Sequence, residues 1–270
     1  MMLHYQEYRH PTSKEWLVLL HGAGGSSIVW YKQIRAFSAH FNLLLIDLKG
    51  HGKSIGKTLY TPRYSFTDIA VDVLKVLQTL SVPPCHFMGI SLGAIVIRKI
   101  AELEMSRVKT LLMAGAVVGL NFRSQFLMRV AARVRHLVPY MWIYRIYANI
   151  LMPRKRHKTS RRLFINEAAK IRQKEFLRWF SLTADLSPLL RFFRTVELPV
   201  PTVYIMGEED YMFLPQVKAL LKVQHRYSSL IIVPDAGHIC NIDNAAFFNR
   251  VTLETLEALT VPPASDEGGR

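Results

Sequence analysis

Cysteine and acidic residues are scarce in this chain of 270 residues, and it has no long hydrophobic run. The two cysteines, Cys85 and Cys240, lack the spacing of a metal site and are too few for a disulfide scaffold, which favours a reducing compartment. The 20 acidic residues stand against 35 lysines and arginines, so the formal net charge is +15. A charge of this size favours anionic partners.

The amino terminus and the apolar stretches predict a cytoplasmic protein. Residues 1–16 mix polar and charged groups and lack the apolar core of a signal peptide. The longest apolar stretch, residues 110–120, is shorter than the ~18 residues that a membrane span needs. Because half of the residues are hydrophobic, the chain can bury a large core. We therefore expect one α/β domain with one insertion.

Short apolar runs, each ending in a polar or glycine-rich turn, predict a mostly parallel sheet covered by helices. Runs that are apolar throughout, rather than alternating, are typical of strands buried on both faces. Ser65 and Asp68 predict a capping box at the start of one helix. The predicted strands are residues 16–20, 42–47, 85–89, 109–120, 201–206 and 229–233, and two further helices are predicted at 92–105 and 244–259.

The strand rhythm stops between residues 121 and 186, where several short helices are predicted instead. We expect a core of residues 1–120 and 187–261, a helical lid at 121–186 and a flexible tail at 262–270. The predicted lid carries fifteen basic and three acidic residues, so twelve of the fifteen net charges lie there.

Two interpretations of the basic lid remain open. It would attract an anionic acyl substrate or an anionic membrane surface. Alternatively, its arginines would be the solvated faces of amphipathic helices that cover a pocket. Nucleic acid is disfavoured as a partner, because no binding motif accompanies the basic run at 154–158.

Residues 89–93 read Gly-Ile-Ser-Leu-Gly and lie between a predicted strand and a predicted helix. This is the context of a nucleophile elbow, in which a sharp turn presents the serine hydroxyl and the flanking glycines avoid a steric clash. The alternative is a structural Gly-Ser turn that has no catalytic role. In its context the motif predicts Ser91 as a nucleophile.

A serine hydroxyl needs a base to take its proton and a carboxylate to orient that base. His238 follows the predicted strand at 229–233, and Asp210 follows the one at 201–206. Both lie past the carboxyl ends of strands, where parallel sheets bind ligands. His238 is the predicted base and Asp210 the predicted acid, although Glu208 and Glu209 compete with Asp210.

The oxyanion of an acyl-transfer intermediate needs fixed backbone donors. Leu92, directly after the serine, is one predicted donor. The glycine-rich turn at 22–25 allows close approach to a substrate, and Ala23 is the other predicted donor. A phosphate cradle is disfavoured for this turn, since it lacks the spacing of a P-loop or of a dinucleotide-binding loop.

The sequence resembles the serine-dependent α/β-hydrolase superfamily, in its short bacterial branch of esterases, thioesterases, carbon–carbon bond hydrolases and haloperoxidase-like proteins. The resemblance implies an α/β-hydrolase fold with a mostly parallel eight-stranded sheet flanked by helices, and a helical lid inserted after the sixth strand. It also implies no metal or organic cofactor, and it favours Asp210 as the acid. It rests on the motifs at 21–26, 47–54, 89–93, 207–210 and 236–238, in family order.

The chain departs from the family pattern after the histidine, where a Glu and then a Pro are frequent but this chain has Asp243, Asn244 and Ala245. A serine rather than an aspartate at position 91 argues against dehalogenase or epoxide hydrolase chemistry. The expected reaction is hydrolysis of an ester or thioester of a small acyl group. An acyl group that carries a negative charge is one option. A carbon–carbon bond hydrolase or lyase with the same residues, and a ligand-sensing protein with slow turnover, are the alternatives.

Overall fold

The computed structural model describes residues 2–56, 63–224 and 226–260. The expected tail at 262–270 lies outside these residues. The described residues form one sheet of seven strands, in the order β1-β3-β2-β4-β5-β6-β7. The strands are β1 Tyr5–Tyr8, β2 Trp16–Leu20, β3 Asn42–Ile46, β4 Cys85–Ile90, β5 Val108–Ala114, β6 Thr202–Gly207 and β7 Ser228–Val233.

The sheet confirms the α/β-hydrolase fold class, but among the described residues it has seven strands rather than the eight that the resemblance implies. All neighbouring strands are parallel except β1, which pairs antiparallel with β3 from Tyr5 opposite Ile46 to Tyr8 opposite Leu43. Within the described ranges no segment pairs with the other edge of β1, so it is the edge strand. Polar, half-buried side chains are typical of such an edge.

Helices cover both faces of the sheet and follow most of its strands. The longer ones supply apolar sides to the core, as Ile69, Val73 and Leu77 do from the helix after β3. The helices are α1 Ile34–Phe37, α2 Phe66–Thr79, α3 Leu92–Leu103, α4 Phe122–Val134, α5 Tyr140–Leu151, α6 Lys158–Ala168, α7 Gln173–Ser181, α8 Thr183–Thr195, α9 Leu214–Leu220, α10 Cys240–Asp243 and α11 Ala245–Thr260. Short 3₁₀ helices occupy Ser27–Trp30, Gly52–Ser54, Met105–Arg107 and Lys155–His157.

Local sequence signals explain where several elements begin and end. The Ser65 hydroxyl oxygen accepts a hydrogen bond from the Asp68 backbone N–H at 3.0 Å, as a capping box requires. The Asp68 carboxylate accepts in return from the Ser65 hydroxyl at 2.6 Å. Strand β5 ends at Ala114, well before the predicted residue 120, because Gly115 turns the chain with a φ of 49°.

The five helices α4 to α8 form a helical insertion between β5 and β6. Its last helix, α8, extends past the boundary expected at residue 186, to Thr195. The insertion leaves and returns at neighbouring strands, since Leu111 of β5 pairs with Thr202 of β6. Among the described helices, none combines the length and the apolar character needed to cross a bilayer.

Candidate active site

Ser91 occupies a strained turn between β4 and α3. Its φ of 55° and ψ of −115° are unusual for a residue with a side chain. A Cβ at Gly93 would lie 2.5 Å from the Leu20 carbonyl oxygen, and one at Gly89 would overlap the backbone of Gly93. The two glycines therefore let the turn pack against the end of β2. This is the local geometry that the motif predicts.

Ser91, His238 and Asp210 form a chain of hydrogen bonds at the carboxyl ends of β4, β7 and β6. His238 Nε2 lies 2.9 Å from Ser91 Oγ, and His238 Nδ1 lies 2.7 Å from Asp210 Oδ2. His238 and Asp210 are both buried. The other Asp210 oxygen accepts from the Phe213 backbone N–H at 3.1 Å, and the Phe213 ring packs against the imidazole. The carboxylate is thus oriented toward Nδ1, which leaves Nε2 to face the serine.

The two carboxylates that compete with Asp210 lie elsewhere. Glu208 accepts a long hydrogen bond from the Asp235 backbone N–H at 3.4 Å. Glu209 Oε1 lies 3.1 Å from Arg154 Nε, and its Oε2 lies 2.9 Å from His157 Nε2. Of the three acidic residues in this turn, Asp210 is the one bonded to His238.

The turn after β2 brings Ala23 to the cavity in which Ser91 lies. Both predicted amide donors, Ala23 and Leu92, line this cavity. Within the described ranges, neither backbone N–H donates to another protein group. Leu92 is also the first residue of α3, where helical N–H groups carry partial positive charge. Close approach of the turn depends on Gly22, whose added Cβ would lie 3.2 Å from Ser91 Cβ.

Two buried histidines hold this turn, and sequence reasoning assigned neither of them a role. His21 Nε2 accepts from the Leu48 backbone N–H at 2.9 Å, and His51 Nε2 accepts from the Gly24 backbone N–H at 3.0 Å. Burial lowers the pKa of His21, and burial lowers the pKa of His51 to about 3. Both rings are therefore neutral acceptors. Their place inside the motifs at 21–26 and 47–54 was the available signal.

A cavity of about 290 Å³ lies over Ser91, between the sheet and the helical insertion. No lysine, arginine, histidine or acidic residue is among the described residues that line it. The lining is aliphatic and aromatic, with hydroxyls from a few residues such as Ser124 and Thr183. Burying a charged group here without a partner would be costly. The basic residues of the insertion therefore do not supply a cationic subsite inside the cavity.

Buried polar contacts fix the insertion on the core. The Ser26 hydroxyl donates to Glu167 Oε2 at 2.6 Å, and the Tyr64 hydroxyl donates to Glu175 Oε2 at 2.7 Å. Trp179 Nε1 donates to the Lys49 carbonyl oxygen at 3.0 Å. These contacts join α6 and α7 to the loops after β2 and β3.

The segment after His238, which departs from the family pattern, bonds to the turn that carries His238 and to the start of α11. Asp243 Oδ2 accepts from the Gly237 backbone N–H at 2.9 Å, which ties down the turn that carries His238. Burial raises the pKa of the Asp243 carboxyl. Asn244 Oδ1 accepts from the Phe247 backbone N–H at 3.3 Å and so caps α11. The described residues include no cluster of three or more histidines, cysteines or carboxylates that could hold a metal ion.

Comparison with known proteins gives a family match over most of the chain. The alpha/beta hydrolase family matches residues 17–251. The relatives named "Putative carbamate hydrolase RutD" include that of Stutzerimonas stutzeri (strain A1501), which is 26% identical over 272 residues and covers 94% of this chain and 96% of its own. The protein of the same name from Variovorax paradoxus (strain S110) is 27% identical over 277 residues, covering 97% and 98%.

Solved structures agree in fold. A thermophilic esterase from Thermogutta terrifontis superposes with a TM-score of 0.78 at 17% identity, covering 96% of this chain and 94% of its own. An enol-lactonase from Burkholderia xenovorans LB400 gives a TM-score of 0.76 at 22% identity, covering 94% and 96%.

Proposed function

The chain belongs to the alpha/beta hydrolase family, and we propose that it hydrolyses esters or thioesters of apolar acyl groups with Ser91, His238 and Asp210. The observation that carries this proposal is the unbroken hydrogen-bond chain from Asp210 through His238 to Ser91, at the edge of an apolar cavity. Such a chain activates a serine for attack on a carbonyl carbon.

The proposed reaction has two acyl-transfer steps. Ser91 Oγ attacks the carbonyl carbon while its proton passes to His238 Nε2. The Ala23 and Leu92 amides donate to the oxyanion that forms. When the tetrahedral intermediate collapses, the bond to the alcohol or thiol breaks, and the leaving group takes the proton from His238. Water then gives a proton to His238 and attacks the acyl-serine, and collapse returns that proton to Ser91 as the acid leaves.

Asp210 has an electrostatic and an orienting role in this reaction. It accepts the hydrogen bond from Nδ1–H of His238 and stabilises the imidazolium that forms in each step. The buried position of the pair supports this role, because electrostatic interactions are stronger away from water.

The apolar lining of the cavity revises the expected substrate. An anionic acyl group would lie unpaired among aliphatic and aromatic side chains, so the acyl group that we propose is uncharged. The excess positive charge of the insertion then acts outside the cavity.

The test is turnover of p-nitrophenyl esters from acetate to octanoate by the wild type, Ser91→Ala and Ser181→Ala. Ser181 is a matched control, since its hydroxyl donates to the Arg178 carbonyl oxygen and it does not line the cavity. We expect turnover to rise with chain length, to vanish in Ser91→Ala and to persist in Ser181→Ala. A fluorophosphonate should label Ser91 alone.

The same experiment separates the alternatives. Turnover that survives Ser91→Ala would contradict the proposed nucleophile. Labelling of Ser91 without turnover of any ester would instead favour carbon–carbon bond cleavage or slow ligand sensing with the same residues.

A further inference from the structure

The helices α4 and α5 expose large hydrophobic side chains to solvent. On α4, Phe122 is 79% exposed and Phe126 follows one turn later, also exposed. On α5, Trp142 is 63% exposed and Ile146 follows one turn later. Leu137, between the two helices, is 81% exposed. We call these residues the α4–α5 surface. Large hydrophobic side chains left exposed in this number are typical of interaction sites.

The segment that carries the α4–α5 surface has charged residues of one sign. Residues 121–151 contain five arginines and no aspartate or glutamate. Four of these arginines are exposed, and within the described ranges none of the four forms an ion pair. They are Arg123, Arg129, Arg133 and Arg145. Hydrophobic side chains together with unpaired arginines are complementary to a partner that has an apolar interior beneath a layer of anionic groups.

The mouth of the cavity over Ser91 opens on this same surface. Val130 of α4 and both Ile146 and Ile150 of α5 line the cavity, and all three are also exposed to solvent. Residues that meet both conditions lie at the mouth. A molecule that enters the cavity therefore passes between the two exposed hydrophobic rows.

We propose that the α4–α5 surface docks on an anionic phospholipid membrane and that the cavity receives its acyl substrate from that membrane. Tryptophan and phenylalanine side chains insert at the headgroup boundary, and arginines bind lipid phosphates. A protein partner fits less well, because it would close the mouth of the cavity. The identity of the substrate rests on the proposed function, whereas the docking rests on the exposed surface and its charge.

The test is sedimentation of the Ser91→Ala protein with sucrose-loaded vesicles, either of phosphatidylcholine alone or of phosphatidylcholine mixed with phosphatidylglycerol. Because this variant lacks the nucleophilic Oγ, it should not hydrolyse the vesicle lipids. Vesicle binding does not require turnover. We expect the anionic vesicles to bind at least about tenfold more protein, and we expect molar salt to abolish most of that preference. Equal binding to both vesicle types, or binding that salt does not change, would overturn the proposal.

Surface variants locate the contact in the same Ser91→Ala background. Phe122→Ser with Trp142→Ser, and separately Arg129→Gln with Arg145→Gln, should each weaken vesicle binding by about tenfold or more. The matched controls are Val223→Ser and Lys222→Gln, which remove one exposed hydrophobic residue and one exposed charge outside the insertion. Binding that falls equally in the controls would contradict the assignment to this surface.

Two further measurements keep the proposals separate. Hydrolysis of a soluble ester by the wild type tests the proposed function without vesicles, so either proposal can fail alone. Sedimentation equilibrium tests whether the surface pairs with a second copy of the chain. A stable dimer that dissociates in Phe122→Ser with Trp142→Ser, and that ignores vesicles, would overturn membrane docking.

Discussion

Glu209 and His157 lie against each other across the boundary between core and insertion, with Glu209 Oε2 2.9 Å from His157 Nε2. Glu209 directly precedes Asp210 in the chain, yet it contacts the insertion while Asp210 contacts His238. One short turn thus both anchors the insertion and orients the imidazole. The two functions can be separated by mutation.

Asp210→Asn should abolish most of the activity, whereas Glu209→Gln should not. The amide at 210 can no longer stabilise an imidazolium, so we expect kcat for a soluble ester to fall by about 10⁴-fold. Glu209→Gln removes a charge that faces Arg154 and His157, so we expect a lower melting temperature and less than about a tenfold change in kcat. Equal losses of kcat in the two variants would argue against Asp210 as the acid.

A terminal carboxylate on the acyl chain should lower kcat/KM for an ester substrate. No charged side chain is among the described residues that line the cavity. Burying a carboxylate there costs several kcal/mol, and each ~1.4 kcal/mol is a factor of ten. We expect kcat/KM for an adipic acid monoester to be at least about tenfold below that for the hexanoic acid ester with the same alcohol. A higher kcat/KM for the adipic monoester would instead support the anionic acyl substrate that the positive charge of the insertion suggests.

Gly93→Ala should destabilise the fold, and Gly119→Ala should not. A Cβ at Gly93 would lie 2.5 Å from the Leu20 carbonyl oxygen and 2.7 Å from that of His21, which are backbone atoms at the end of a central strand. We expect a loss of about 2 kcal/mol in the free energy of unfolding. At Gly119 the nearest atom is the end of the flexible Gln216 side chain, so we expect a change below about 0.5 kcal/mol. Urea denaturation of both variants measures the difference.

His51 should make the fold sensitive to acid. Burial lowers the pKa of His51 from 6.5 to about 3, so between these pH values the unfolded chain binds a proton that the folded chain does not. The free energy of unfolding therefore falls as the pH falls through this window, by about 2 kcal/mol from this group at about pH 5. His51→Gln keeps an acceptor for the Gly24 N–H but cannot titrate.

We expect His51→Gln to be less stable than the wild type at neutral pH and the gap to narrow by about 2 kcal/mol at about pH 5. Urea unfolding curves at the two pH values provide the measurement, with a substitution of the exposed His136 as the control. Parallel pH profiles for wild type and His51→Gln would contradict this role.

The sequence predicted the strands that contain a run of apolar residues. Strand β2 has the predicted bounds, and β3, β4, β6 and β7 agree within one residue at each end. β1 was missed because its four residues, Tyr5–Tyr8, are half-buried and two of them are polar, which gives no apolar run. β5 was predicted too long because the apolar composition continues past Gly115, where the backbone turns.

The residues of the candidate site were predictable because each lies at the end of a strand, and parallel strands bring such ends together. The surroundings of these residues could not be predicted from the sequence. The apolar lining of the cavity depends on how five helices of the insertion pack. The bonds of His21 to the Leu48 N–H and of His51 to the Gly24 N–H join segments that are distant in sequence. Composition gave the net charge of the insertion but not the side on which its arginines lie.

The pairing of β5 directly with β6 has a consequence for how such a protein can diversify. The insertion begins and ends at two strands that are already hydrogen-bonded to each other, as Leu111 is opposite Thr202. Its helices could therefore be exchanged for others by recombination at these two points without changing the register of any strand. The sheet would carry the same hydrogen-bonded serine into each recombinant, and the helices that line the cavity above it would differ.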